Sequence, residues 1–411
     1  MKRSGSVFLT LAVVVGLCGI LPILGIEDGP SSLAFFNIFG KQQKEDWKTA
    51  DEMKGLVDDR LYEVMQCYAA MRTNESVITQ QLGPFFSYQV KLRTEPVFMV
   101  KNNTVYVRDR TTAEAGRLIT WGYRLGLLRY PGGMSYPIPF EARCLIKINE
   151  THYRLTAVFY EDTYLMKTVV MSAETPKDYR YPRDYLTQGW FRKEEHSCRI
   201  LSLRYANGTV EENPKIPCLW LNYYWDKYNP LAMGFAVEME KLIQKEGLPR
   251  NAAIPIATKL TATLVKYSRG NNTGLPVLFD PATKSFTTVP YPRKPGEIIY
   301  NQDALWWNLL CGEGYCSTFV ALNQAILRYL GLDVYDMGID IIGAHAVLGV
   351  EDRDMQNVKG VRGNPVIVTV ERDDGVIAKI HVLEVTEQSK PVYVKELYKT
   401  KHMDFIQYNP I

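Results

Sequence analysis

Two cysteines lie five residues apart where a helical pattern begins, in the segment Leu309–Val334, LLCGEGYCSTFVALNQAILRYLGLDV. From Cys316 onward the apolar residues recur at helical spacing, and Gly331 is typical of the position just after a helix. Gly312 and Gly314 interrupt the pattern before it. The first N–H groups of a helix and the positive end of its dipole favour a thiolate and could hold an oxyanion. Cys316 is therefore a candidate nucleophile.

A thiol nucleophile needs a histidine nearby to take up its proton, and usually a third side chain to orient the imidazole ring. The histidines of the chain are His152, His196, His345, His381 and His402. His345 opens a strand-like run, HAVLGVE, after the small residues Gly343 and Ala344. Small neighbours leave space for the ring, so His345 is the candidate base.

The run GYCSTFVALNQAILRYLGLDV followed by GAHAVLGVE resembles the transglutaminase-like fold, within the wider papain-like group of cysteine enzymes. In that family a Gly-x-Cys sequence opens a helix, which often ends in a leucine-arginine-x-x-Gly stretch, here Leu327–Leu332. The catalytic histidine heads a strand. The resemblance covers about residues 233–387 and implies that Cys316 is the nucleophile and His345 the base and acid.

Four positions depart from the family pattern. Val347 replaces the tryptophan that commonly follows the histidine, and Gly349 replaces a glutamate. The third member of the triad is usually an Asp in an Asp-Pro-Thr sequence. The segment HVLEVT has Glu384 in place of this Asp, 39 residues after His345, and Val385 in place of the Pro. A glutamate still provides the acceptor that orients an imidazole. Glu371 is the reserve candidate.

Other readings of the two cysteines stay open. Cys316 could be paired with Cys311, or could be a buried structural cysteine at the start of a core helix. Zinc is disfavoured, because these cysteines and His345 lack the paired CxxC or HxxxH spacing of a four-ligand site. No metal or organic cofactor is expected.

The N-terminus predicts export. Lys2 and Arg3 precede an uncharged apolar run from Val7 to Ile26, and acidic residues follow it. This arrangement leaves the N-terminus in the cytoplasm and exports the rest. About twenty apolar residues can span a bilayer. The sequence favours residues 1–26 as an uncleaved signal anchor, which predicts a single-pass membrane protein with an extracellular C-terminal part. The alternative is a cleaved signal peptide, which predicts a secreted protein.

Sequons and cysteines fit an oxidising exterior. N-glycosylation is expected at the N-x-[ST] asparagines Asn74, Asn102, Asn149, Asn207 and Asn271. Six cysteines lie beyond the apolar run, an even number that could pair as disulfides: Cys67, Cys144, Cys198, Cys218, Cys311 and Cys316. Cys198 and Cys218 flank a hairpin-like stretch with an Asn207–Gly208 turn, which makes their pairing plausible.

Changes in local pattern divide the rest of the chain. Residues 27–80 are expected to form a helical segment, in which Lys44–Met71 is predicted as a helix. Residues 81–229 are expected to form a β-rich domain of unassigned topology. Residues 230–411 are expected to form the transglutaminase-like catalytic domain. Helices precede antiparallel strands in the last of these, so the predicted fold class is α+β. Asp373–Gly375 is predicted to turn a hairpin.

The function expected from these features is a thiol enzyme that acts on amide or peptide carbonyls through Cys316, His345 and Glu384. Hydrolysis of a peptide substrate is favoured over protein crosslinking, because no calcium-type acidic loop is evident. The third alternative is a non-catalytic surface module that retains the fold. The net charge of +3, without basic runs that carry interleaved aromatics, disfavours nucleic acid as a partner.

Overall fold

The computed structural model describes residues 45–81, 87–118, 138–149, 152–175, 192–214, 219–225, 229–268, 276–289, 305–340 and 344–394. The predicted anchor, residues 1–26, lies outside these ranges, as do Cys218 and Asn271. Within them, no helix is both long and apolar enough to cross a membrane.

The described residues form six α-helices and twenty strands, in the mixture expected of an α+β chain. The helices are α1 (Asp59–Arg72), α2 (Pro230–Lys245), α3 (Ala253–Leu264), α4 (Leu305–Cys311), α5 (Cys316–Tyr329) and α6 (Asp352–Met355). The first eleven strands are β1 (Lys48–Thr49), β2 (Asn74–Gln81), β3 (Ser87–Lys101), β4 (Thr104–Leu118), β5 (Ile138–Pro139), β6 (Ala142–Lys147), β7 (Tyr153–Glu161), β8 (Lys167–Glu174), β9 (Arg192–Arg204), β10 (Val210–Glu212) and β11 (Leu219–Trp225). The remaining strands are β12 (Lys266–Tyr267), β13 (Val277–Asp280), β14 (Ser285–Thr288), β15 (Glu313–Gly314), β16 (Val334–Asp340), β17 (Ala344–Glu351), β18 (Ile367–Arg372), β19 (Ile377–Glu384) and β20 (Val392–Tyr393).

The chain divides into two compact units. Unit 1 comprises residues 1–52, 72–99 and 107–137, and unit 2 comprises residues 53–71, 100–106 and 138–411. In unit 1 the long strands β2 and β3 pair antiparallel, with Asn74 opposite Thr94, and the short strand β1 pairs with β3 farther along, at Val97 and Phe98.

Unit 2 contains a closed ring of antiparallel strands. Their order is β9-β11-β16-β17-β19-β18, and β18 returns to pair with β9. The predicted hairpins belong to this sheet: Gly375 adopts a positive φ between β18 and β19, and β9 pairs with β10 across the Asn207–Gly208 turn. Both hairpins are confirmed. The ring is the platform on which the candidate histidine and glutamate lie.

Helices and a second sheet cover this ring within unit 2. α5 packs against β11, β16 and β17 of the ring and against α2 and α3, while α2 packs on β8 and α3 on β7. β6, β7 and β8 belong to a sheet with strand order β14-β13-β6-β7-β8. Fully buried residues such as Phe235, Ile256, Phe319 and Val347 contribute to one continuous hydrophobic core. That core fixes the position of α5 relative to β17.

The compact units differ from the domains expected from the sequence. β9 and β11, from the expected β-rich domain, pair directly with β18 and β16 of the expected catalytic domain. The sheet therefore runs across the expected boundary between residues 229 and 230. Such pairing joins strands more than a hundred residues apart and leaves no mark in local periodicity.

The helix predicted over Lys44–Met71 is wrong in its first half. Only Asp59–Arg72 is α-helical, while the preceding residues contain β1 and a single 3₁₀ turn. Gly55 has a φ of 73°, which interrupts the helical conformation, and Leu56 is largely exposed instead of lying in the core. Leu61, Val64 and Met65 are buried as the periodicity predicts.

Candidate active site

Helix α5 begins at Cys316, as the sequence predicts, and a buried polar cluster fixes its first turn. The Tyr315 backbone N–H donates to Thr318 Oγ1 at 3.2 Å, and Asn308 Nδ2 of α4 donates to the same oxygen at 2.7 Å. Thr318 and Asn308 are both almost fully buried. These bonds tie α4 to the start of α5 and so determine where the Cys316 thiol lies.

The glycines before Cys316 permit close packing. A Cβ on Gly314 would lie 2.6 Å from Thr318 Oγ1, and Gly312 has a φ of 75° with the Arg143 guanidinium directly against its Cα. Gly314 also belongs to β15, which pairs in parallel with β12. The Lys266 N–H donates to Gly312 O at 2.8 Å, and the Ser268 N–H to Gly314 O at 2.8 Å. The approach to Cys316 is thus held in one conformation by its neighbours.

His345 lies near the start of β17, beside the N-terminus of α5. β17 pairs with β16, where His345 is opposite Ile339. The Ala346 N–H, next along the strand, points at the Cys316 sulfur, with a donor–acceptor distance of 3.4 Å. The His345 side chain also lies within interaction range of the Cys316 thiol.

Glu384 reaches His345 from β19, the neighbour of β17. Leu383 is opposite Leu348, and this antiparallel register brings the end of β19 alongside the start of β17. Glu384 Oε2 lies 2.5 Å from His345 Nε2, and the second carboxylate oxygen accepts a bond from the Thr386 N–H at 2.7 Å. Since Glu384 contacts Nε2, Nδ1 is the ring nitrogen that remains available to the thiol.

Electrostatics favour a thiolate beside an imidazolium. Burial opposes ionisation of Cys316, but hydrogen bonds from His345 and from the Ala346 and Ser317 N–H groups outweigh it and leave the pKa of the thiol below its usual value. Hydrogen bonds to Cys316 and to Glu384 raise the pKa of His345 to about 10. Burial also opposes ionisation of Glu384, yet its bonds to His345 and Thr386 hold its carboxyl pKa below the ordinary value.

Two tyrosines border the thiol. The Tyr267 and Tyr315 rings meet edge to face with centroids 5.9 Å apart, and Tyr267 is 38% exposed. Partial burial first, and then the negative charges of Cys316, Glu387 and Glu384 among its neighbours, raise the pKa of the Tyr267 phenol. Its backbone N–H donates to Glu387 Oε1 at 2.8 Å. Tyr267 was not singled out in the sequence, because only the pairing of β12 with β15 brings it here.

The other residues considered in the sequence lie elsewhere. Glu371, the reserve acid, pairs with Arg199, whose Nη2 lies 2.6 Å from its carboxylate. Cys311 ends α4, and burial raises the pKa of its thiol to about 12. Val347, at the position of the expected tryptophan, is fully buried in the core. Among the described residues, no group of side chains is arranged to hold a metal ion.

The three candidate residues thus meet in the order thiol, imidazole, carboxylate, at a helix N-terminus. This arrangement can generate a nucleophile without a metal and return its proton to a leaving group. No protein-family model matches this chain, and no significant similarity to a curated protein or to a solved structure was found. The assignment of a function therefore depends on the chemistry of this site.

Proposed function

We propose that the chain is an exported or membrane-anchored thiol enzyme that acts on amide or peptide carbonyls, with Cys316 as nucleophile. The observation that carries the proposal is the contact of one imidazole with both the Cys316 thiol and the Glu384 carboxylate. A structural cysteine requires neither partner. The transglutaminase-like fold belongs to the same proposal and is supported by a helix that begins at the cysteine and a strand that begins next to the histidine.

The reaction would proceed through a thioester. The Cys316 thiolate attacks the carbonyl carbon, and the oxyanion that forms lies at the first turn of α5, where backbone N–H groups lack intrahelical partners. The His345 imidazolium donates its proton to the departing amine as the carbon–nitrogen bond breaks. Glu384 keeps the ring oriented and stabilises its positive charge throughout.

The second half-reaction decides between a hydrolase and an acyltransferase. Neutral His345 removes a proton from the incoming water or primary amine, which attacks the thioester and releases the thiolate. Cys316, His345 and Glu384 are each only partly buried, with about a quarter of the His345 side chain exposed. Water therefore reaches the thioester, and we propose hydrolysis, which gives a peptidase or amidase.

The proposed location is the cell exterior, reached through the apolar segment 1–26. Exposure of the asparagines supports the proposed N-glycans, since Asn74, Asn102, Asn149 and Asn207 are all exposed. The Asn149 carboxamide oxygen also accepts bonds from His152, its backbone N–H included, whereas a glycan would be attached to the carboxamide nitrogen.

A peptide library tests the proposed activity without a known substrate. The purified full-length chain is incubated with a proteome-derived peptide mixture in water, with and without a labelled primary amine, and products are identified by mass spectrometry. A hydrolase produces shortened or deamidated peptides in both samples, whereas an acyltransferase adds the labelled amine. Cys316→Ser is the matched control, because it changes only the attacking atom.

Products formed by the unaltered chain and absent with Cys316→Ser would support the enzyme. Equal product profiles for the two proteins, at a concentration where Cys316 is shown to be a reactive thiol, would contradict it. The non-catalytic surface module would then take its place.

A further inference from the structure

A second group of cysteines lies outside the candidate active site. Cys67 of α1 and Cys144 of β6 are 3% and 1% exposed, and their thiols lie within interaction range of one another. Both are reduced thiols in the structure and both belong to unit 2. Two buried thiols on neighbouring elements can form a disulfide bond where the backbone separation permits it.

Contacts on either side of the two thiols keep α1 and β6 in register. One turn before Cys67, Glu63 forms an ion pair with Arg154 of β7, the strand next to β6. One residue after it, the Tyr68 ring packs edge to face on Phe140, with centroids 5.1 Å apart. The position of Cys67 is therefore set by two contacts that flank it along α1.

The residue next to Cys144 connects the pair to the turn before the nucleophile. Arg143 Nη2 donates to the carbonyl oxygens of Leu309 and Leu310 at 2.6 and 3.2 Å, near the end of α4. Its guanidinium also lies within electrostatic range of the sulfurs of Cys67, Cys144 and Cys311. Any restraint on β6 is thus transmitted to α4 and Gly312.

We propose that Cys67 and Cys144 are a disulfide site in the exported protein, and that the bond fixes β6 so that Arg143 holds the end of α4. Two thiols lose two protons and two electrons as the sulfur–sulfur bond forms. The electrons pass to a small-molecule disulfide such as oxidised glutathione, which is reduced to two thiols. Neither sulfur belongs to the candidate active site, so the pairing does not depend on whether Cys316 is catalytic.

Cys311 is the competing partner, because its thiol lies near the same guanidinium. Three observations favour Cys144 for Cys67. Their thiols lie within interaction range of each other, both are more deeply buried than Cys311, and the contacts of Glu63 and Tyr68 hold α1 against β7 and against Phe140, which leads into β6.

Trypsin separates the relevant cysteines, which makes the pairing measurable. Cleavage after arginine and lysine places Cys67 in LYEVMQCYAAMR and Cys144 in CLIK, whereas Cys311 and Cys316 share one long peptide. The full-length chain is purified after passage through a secretory compartment, its remaining thiols are blocked with N-ethylmaleimide under denaturing conditions, and it is digested without reductant.

The expected result is a linked species with the mass of the two short peptides joined, which disappears on reduction. Cys67→Ser should abolish it and leave CLIK fully labelled by N-ethylmaleimide, and Cys144→Ser should do the reverse. As a second measurement, the unaltered chain is reduced and treated with oxidised glutathione, which should regenerate the same species without any variant having to fold. Labelling of both peptides by N-ethylmaleimide after that treatment, or a link from either to the Cys311 peptide, would overturn the proposal.

Discussion

Glu384 follows His345 by 39 residues in the sequence, yet its Oε2 lies 2.5 Å from His345 Nε2. The two residues lie on neighbouring antiparallel strands, β17 and β19, and the residues between them form α6 and β18. β18 continues the sheet beyond β19 and pairs with β9. The long interval thus adds a strand at the far side of β19 and leaves the contact between imidazole and carboxylate intact.

This contact predicts the effect of neutralising the carboxylate. Glu384→Gln keeps an acceptor but removes the negative charge, and an opposite charge at this distance shifts a pKa by about one to three units. With a lower His345 pKa the thiolate is less populated, so alkylation of Cys316 at pH 7 should slow by roughly 10-fold or more. The rate is measured with limiting iodoacetamide.

Glu371→Gln is the matched control for this experiment. It removes the same charge from β18, where the carboxylate pairs with Arg199 and not with His345. Alkylation should proceed at the unaltered rate. Equal slowing by the two substitutions would show that Glu384 acts only through the net charge of the surface.

Turnover and alkylation should diverge at alkaline pH. His345 has a folded-state pKa of about 10, above the value of about 6.5 for an unperturbed histidine. Stabilisation from its protonated form is therefore complete below about pH 6.5 and is lost as the pH rises through about 10. Because release of the amine needs the imidazolium proton, kcat/KM should fall near pH 10, while alkylation, which needs only the thiolate, should not. A parallel fall of both would contradict this division of roles.

Lowering the pH should destabilise the fold through the other two groups of the site, Glu384 and Cys316. The folded-state pKa values of Glu384 and Cys316 both lie below their usual values. The stabilisation from each anion is therefore present above its unfolded-state pKa and is lost as the pH falls through its folded-state pKa. The free energy of unfolding of the unaltered chain should fall more steeply in acid than that of Glu384→Gln, which lacks one of these carboxylates. Chemical denaturation at a series of pH values measures the difference.

Gly314 should be required for the position of the thiol. In Gly314→Ala the new methyl group would meet Thr318 Oγ1 at 2.6 Å, so the first turn of α5 must shift. We expect a loss of about 1–3 kcal/mol in the free energy of unfolding, as for other overpacked sites, together with slower alkylation of Cys316. Denaturant titration and the alkylation assay measure the two effects.

Gly375→Ala is the control that distinguishes a loss of global stability from a displacement of the Cys316 thiol. Gly375 has open space around its Cα, but its φ of 79° disfavours any side chain, which costs about 1–2 kcal/mol. It lies in the β18–β19 turn, away from Cys316, so this variant should lose stability without any change in the alkylation rate. A comparable slowing in Gly375→Ala would mean that Cys316 reactivity merely follows global stability.

Tyr267 is expected to contact the substrate. Its ring is partly exposed beside the thiol and packs on Tyr315. Aromatic contacts contribute about 0.5–1.5 kcal/mol beyond the area they bury, so Tyr267→Ala should raise the KM of a peptide found in the library screen by about 2- to 10-fold. Tyr267→Phe should retain most of the affinity. Tyr329→Ala, a control that removes a similarly exposed tyrosine from the other end of α5, should leave KM unchanged.

Local pattern was sufficient for the elements that carry the candidate residues. The apolar stripe and Gly331 placed α5, the run HAVLGVE placed β17, and the Asp373–Gly375 turn placed the hairpin of β18 and β19. Each of these signals depends on residues close together in the chain. The apolar periodicity alone predicted a helix that begins too early, because Gly55 adopts a positive φ and interrupts the helical conformation before Asp59.

Contacts between segments that are distant in the chain could not be predicted from the sequence. Closure of the ring by β9 and β18, the approach of Tyr267 to Cys316 and the contact of Cys67 with Cys144 all join segments that are distant in the chain. The thiol and imidazole were predicted because their residue types are chemically specific. Tyrosine and arginine are common and occur in many settings, so the roles of Tyr267 and Arg143 can be inferred only from the residues that surround them in the fold.

The central claim is that His345 makes Cys316 a thiolate, and the pH dependence of alkylation tests it most directly. The native full-length chain is treated with iodoacetamide across a pH series, the label is located by peptide mass spectrometry, and His345→Ala is run in parallel. An ordinary thiol has a pKa of about 8.5. We expect Cys316 to be labelled rapidly well below that pH, and we expect the midpoint of the pH dependence to move to that value or above in His345→Ala. Slow labelling of Cys316 at neutral pH that His345→Ala does not alter, or a Cys316 already bonded to Cys311, would contradict it.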